Sequence, residues 1–210
     1  MYETALLIQQ TDFLRKEEAK LALEKVTEVV ELFEKHANTE DNHVFPALAE
    51  YEPGVVTIFE EEHVKDHELS NRLLDLVFVF THSITDETKI ETGKILSIAF
   101  VEFLVFNLNH MAKEESVINK LLWRYYTDEQ LHGMTRTIVE SIPPMHFAKF
   151  SRYMLRGLNN EEITTWLLQV KSTAPLFVYS ALTGTAEAEL PASRWMAIIN
   201  RMNGEEVMVA

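Results

Sequence analysis

The stretch HANTEDNHVFPALAEYEPGVVTIFEEEHVKDH, residues 36–67, decides the reading of the fold. His36 and Glu40 open it four residues apart, His63 and His67 close it four residues apart, and Pro53-Gly54 breaks the chain between them. On a helix, residues four apart lie on one face, one turn above the other. Two helices folded back at the Pro-Gly break therefore aim four metal-capable side chains into one gap. A third pair, His110 and Glu114, recurs in NLNHMAKEESV at 107–117. The arrangement predicts an all-α fold with a metal site inside a helical bundle.

Working outward, apolar residues recur at helical spacing from about Asp12 to Val44: Ala22, Val26, Val29, Phe33, Ala37 and Val44. Phe45-Pro46 is expected to bend or end that helix. A second helix is predicted from about Val55 to Phe80, a polar loop at 82–88, and a third helix from Lys89 to Tyr125. Long helices joined by short loops are antiparallel neighbours. Residues 1–14 are ambiguous. After Tyr126 the elements shorten. Thr127 with Gln130 reads as a capping box, and Asn159 caps a later helix with Glu162 near its start. Pro143-Pro144 starts a helix that ends at Gly157, Pro175, Gly184 and Pro191 punctuate the rest, and SRWMAIINRM makes the last helix. The expected organisation is a bundle over 1–126 and a short-helix C-terminal subdomain over 127–210, packed on the bundle.

Composition narrows the function. Of 210 residues, 47% are hydrophobic, enough for a core. A net charge of −14 argues against nucleic acid or an anionic membrane as partner. There is no cysteine, so thiolate ligands and disulfides are excluded. The N-terminus lacks a signal-peptide pattern, and the apolar window Ile98–Leu108 is interrupted by Glu102 and is short of the ~20 residues of a bilayer span. A cytoplasmic protein is expected. No Gly-rich phosphate loop and no Ser/Cys–His nucleophile arrangement occurs.

Imidazole and carboxylate suit iron, zinc or manganese, and bundle cores hold such ions with inward-facing His and Glu. The candidate ligands are His36, Glu40, His63, His67, His110 and Glu114, with Asp66 and Glu115 beside the required faces. His43, three residues after Glu40 and seven after His36, shares their face and is a candidate extra ligand. Glu62 is placed to support a histidine from behind. A single His–Glu pair on a helix is ordinarily a solvated surface couple; three such pairs on facing helices point to a site.

These motifs resemble the hemerythrin-like (HHE) cation-binding proteins: His36, Glu40 and VFPAL at 44–48, then Glu62-His63 with Asp66 or His67, then His110-Met-Ala-Lys-Glu114-Glu115. The likeness extends to the hemerythrin-like repeats of plant iron-regulating ubiquitin ligases and related bacterial proteins, through SIPPMHFAKFSRYMLRGLNNEEI at 141–163. It implies an up-down bundle around iron, one or two ions per chain, sensing or handling iron, oxygen or nitric oxide, with a small diatomic ligand as partner. One departure stands out. The family's first helix supplies a His; Thr11 stands in that context here, and no His precedes His36. Against the family's pattern, either the first helix is reduced or one long helix replaces two, and a homodimer that completes the bundle is one consequence. A degenerate, metal-free interaction module and a di-iron oxidase or peroxidase are the alternatives. The second normally needs two E-x-x-H motifs where this chain has one, so the reading is of a binding protein rather than an enzyme.

Overall fold

The computed structural model describes residues 1–204, which form helices and no strand. They fall into two compact units, Met1–Thr135 and the residues from Arg136 onward. In the first unit α1 spans Tyr2–Gln10 and α2 spans Lys16–Thr39. A π-helical turn, Glu40–Val44, leads without a break into α3, Phe45–Ala49. Helix α4 runs Pro53–Thr81 and α5 runs Asp86–Lys113. A second π turn, Glu114–Ile118, continues into α6, Asn119–Tyr125. The architecture is three long rods, with α1 folded back against α2 and α5.

The first helix is thus reduced rather than merged. No Gly or Pro makes the stop; side chains do. The Thr11 hydroxyl donates to the Leu7 carbonyl (2.7 Å), the Leu14 N–H to Asp12 Oδ1 (3.0 Å), and the Asp12 N–H to Glu18 Oε2 (3.2 Å). Asp and Thr compete with the helical ladder in this way. Phe45-Pro46, expected to bend or end the helix, does not end it. The π turn before Pro46 joins the Phe45 N–H to the Glu40 carbonyl five residues back, and this wider turn makes room for a ring that would otherwise clash one turn earlier.

Two apolar layers fill this unit. Ile8, Val26, Leu73, Phe80, Phe100 and Phe103 belong to the larger one. Phe45, Leu48, Val56, Phe59 and Ile118 form the smaller one. The rod Asp86–Tyr125 is the one described helix long and apolar enough to cross a membrane by length and composition. Its inward residues Leu96, Ala99, Phe100 and Phe103 are used in the core.

Glycine placement gives an opposed pair of predictions. A Cβ at Gly93 of α5 would stand 2.4 Å from Phe13 Cδ2, so Phe13 packs directly on the helix backbone. Gly93→Ala must evict that ring, and it should cost about 1–3 kcal/mol in urea unfolding.

The second unit holds the end of α7 (Asp128–Ser141), then α8 (Pro144–Gly157), α9 (Asn160–Thr173), α10 (Leu176–Glu189) and α11 (Ala192–Met202). The predicted Thr127–Gln130 capping box forms with bonds of 2.9 and 3.3 Å, and the predicted Asn159 cap proves to be a full box with Glu162, with bonds of 3.0 and 2.8 Å. Leu155, Ile163, Leu167, Leu182 and Ile198 make the core, and Glu189 clamps Arg152 and Arg156 at 2.6 and 2.7 Å. Gly184 does not punctuate the chain; it lies inside α10, with nothing within 4 Å of the point where a Cβ would stand. Gly184→Ala should therefore add up to about 1 kcal/mol, opposite in sign to the change at Gly93.

Candidate metal centre

The site lies where α2, α4 and α5 present one turn each between the two apolar layers. His36 and Glu40 come from the end of α2 and the start of the first π turn, His63 from α4, and His110 and Glu114 from the end of α5 and the start of the second π turn. Both carboxylates thus follow their histidine by four residues and open a π turn. Each π turn adds one residue, which rotates the following segment by about 100°. The apolar residues beyond the ligands, Phe45 and Ile118 among them, are buried after this rotation. Phe45 stacks on the His63 ring (centroids 5.0 Å apart) and Phe59 lies 5.7 Å from the His110 ring.

Ligand atoms of Glu40, His63, His110 and Glu114 all lie within 4.8 Å of one another. His36 joins them, its Nε2 3.5 Å from Glu40 Oε2 and 3.4 Å from Glu114 Oε2. His63 Nε2 is 3.3 Å from Glu40 Oε2, and His110 Nε2 is 2.6 Å from Glu114 Oε1. These N···O approaches are close, yet none lines up as a hydrogen bond. Nε2 of all three histidines, Glu40 Oε2 and Glu114 Oε1 are buried with no hydrogen-bond partner. Buried polar atoms left so are costly. Five of them gathered together, three imidazole nitrogens and two carboxylate oxygens, are a donor set that a cation would satisfy in exchange for the Nε2 protons, so the residues fit a metal ion.

The outer nitrogens of two rings are tied down. His63 Nδ1 donates to Asp41 Oδ1 and His110 Nδ1 donates to Glu62 Oε2, both at 2.8 Å. Lys113 in turn reaches Glu62 Oε1. A proton held on Nδ1 leaves Nε2 to face inward, as metal-binding histidines require. Burial alone would pull the His110 imidazolium down, but the Glu114 and Glu62 carboxylates outweigh it and push it up to about 9. Burial likewise opposes the charged forms of His36 and His63, and their carboxylate neighbours raise both. Burial would raise the Glu114 carboxyl; His110 and His36 instead hold it well below the usual carboxylate range.

Of the sequence candidates, His36, Glu40, His63, His110 and Glu114 are brought together. His67 is half-buried on α4 and His43 half-buried in the first π turn; neither contributes an atom to the gathered group. Asp66 is buried and accepts from Asn107 Nδ2 at 2.7 Å, while Glu115 is exposed. Thr11 does not occupy a ligand position: it lies in the turn after α1, its hydroxyl bonded to Leu7. His36 sits twenty residues beyond Lys16, about 30 Å along α2, whereas the nine residues of α1 cover about 13 Å. Glu62 supports His110 from behind, and Asp41 does the same for His63. Asp41 is invisible to regular helical spacing, because a residue next to a ligand points about 100° away; the only sequence signal for the π turn is Pro46.

No curated protein and no solved structure matches the chain. The family model described as "Hemerythrin HHE cation binding domain" matches residues 4–122, a span that contains the whole centre and stops before the second unit. The chain belongs to the hemerythrin HHE cation-binding family.

Proposed function

We propose that the centre holds iron, one or two ions per chain, and that the protein senses or handles iron, oxygen or nitric oxide. The convergence of five unpartnered buried atoms supports this most directly. A donor set of imidazole and carboxylate without sulfur suits iron, and also accommodates zinc or manganese. His36, His63 and His110 would ligate, and Glu40 and Glu114 would bridge or cap. Bound iron would supply a coordination position for a small diatomic ligand. The protein's own residues do the rest. Asp41 and Glu62 hold the Nδ1 protons, and Phe45 and Phe59 keep bulk water from the upper side. Entry is on the His36 side, where the side chain is 28% exposed against 4% for His63 and 3% for His110. Helix α1 is too short to cover that side, which is where a second copy of the chain would close the bundle. The absence of cysteine fits a cytoplasmic setting.

To test the reading, protein purified without oxygen is loaded with ferrous iron and then given nitric oxide. A change in visible absorption is expected from the wild type and not from His63→Ala; no change in the wild type rejects the sensing role.

Binding should also release protons. The folded, metal-free His110 holds its proton up to about 9, above the ordinary histidine value of 6.5. The stabilisation from that raised value is complete below about 6.5 and is lost as the pH climbs through about 9. At pH 7 a metal must displace this proton, so affinity rises between about pH 7 and 9. Calorimetry in buffers of different ionisation enthalpy measures the release; identical heats in all buffers would contradict it.

A further inference from the structure

At the end of the first unit away from the metal centre, α2, α4 and the start of α5 enclose a cavity of about 750 Å³. This volume is in the range of small-molecule sites. Its floor is apolar: Ala19, Leu23 and Phe80 are buried, and Val77 and Phe13 are half-buried. Phe13 is fixed there against Gly93 and by its 5.5 Å ring contact with Phe80. Along α2 the wall runs from Lys16 to Glu31, fifteen residues or about 22 Å, so the space is a trough rather than a compact pit.

The charges on its rim are not evenly matched. Lys20 and Lys25 reach Glu24 and Glu28 at 3.8 and 2.6 Å. Lys16 and Lys89, which line the cavity where α2 and α5 begin, have no carboxylate within 4 Å among the described residues. In a chain of net charge −14, two unpaired lysines at one end of an apolar trough are unexpected. Farther along α2 the wall carries Glu24, Glu28 and Glu31, the first two already paired with Lys20 and Lys25.

We propose that this trough binds a long-chain aliphatic monocarboxylate, a fatty acid, with its carboxylate at the Lys16–Lys89 end and its chain along Leu23, Val77 and Phe80. The Lys16 end of the trough lies about 30 Å from His36 along α2, and the Glu31 end about 8 Å.

The test uses the full, metal-loaded chain and calorimetric titration with dodecanoate, dodecanol and dodecyltrimethylammonium, each below its micelle concentration. Dodecanoate should bind in the micromolar range, more tightly than the alcohol, and the cation most weakly. Lys16→Glu combined with Lys89→Glu should weaken dodecanoate by at least about tenfold while leaving dodecanol binding and metal content unchanged. Val77→Trp, which fills the trough, should abolish both, with metal content reporting that the bundle still folds. Failure of dodecanoate to bind, equal binding of all three amphiphiles, or dodecanoate binding indifferent to the charge reversal or to Val77→Trp in a metal-loaded protein would overturn the proposal.

Discussion

Replacing His110 with alanine should lower affinity for ferrous iron by more than about 100-fold, and leave the helical circular dichroism unchanged. Loss of an outer partner of a metal-binding histidine typically costs about 10–100-fold; loss of the histidine itself must exceed that. His110 is buried, held by Glu62 behind it and set 2.6 Å from Glu114 in front, with Phe59 and Phe106 beside its ring. Alanine removes one of the five inward atoms and strips Glu114 of its nearest cation. The graded series is informative. Glu62→Gln keeps the ring but weakens its orientation, so its loss should fall within about 10–100-fold. His67→Ala, on the same rod as His63 but outside the gathered group, should leave affinity unchanged. Competition against a chromophoric chelator measures all three; a His67→Ala loss as large as that of His110→Ala would mean the group is drawn wrongly.

Phe103→Ala should cost about 3–5 kcal/mol of unfolding free energy, the largest stability effect in the first unit. The side chain is fully buried and meets Phe33 edge-on with ring centroids 5.5 Å apart. Its carbonyl also accepts from Asn107 Nδ2 at 3.1 Å, the amide that fixes Asp66 one layer below the centre. Truncation leaves a void between α2 and α5 directly under the ligands. Chemical denaturation of the metal-free protein reads the loss without a contribution from the ion. A cost under about 1 kcal/mol would show that the site end of the bundle is not stabilised by this packing.

Two of the three expected ligand pairs, 36/40 and 110/114, were legible because a regular helix repeats its face about every four residues. The rods, their loops and the caps at Thr127 and Asn159 follow from the same periodicity and from local side-chain chemistry. Three features were not legible, each for a physical reason. His67 satisfies helical spacing with His63, but spacing alone cannot say that Asp66 takes the buried position at that turn. Asp41 reaches His63 from within a π turn, where the register shifts, and just one of the two π turns has a sequence mark, Pro46, which comes directly after it. The end of α1 depends on Thr11, Asp12 and Glu18 bonding to the backbone, with no Gly or Pro to announce it.

The central claim is that imidazoles and carboxylates from three rods share a cation. Metal content per chain, measured after anaerobic loading with ferrous iron and removal of free ion, addresses it most directly. The expected result is at least one iron per wild-type chain, a clear fall in melting temperature on chelation, and empty His63→Ala and His110→Ala variants. A wild-type chain that retains no iron, zinc or manganese and melts at the same temperature with or without chelator would contradict the account.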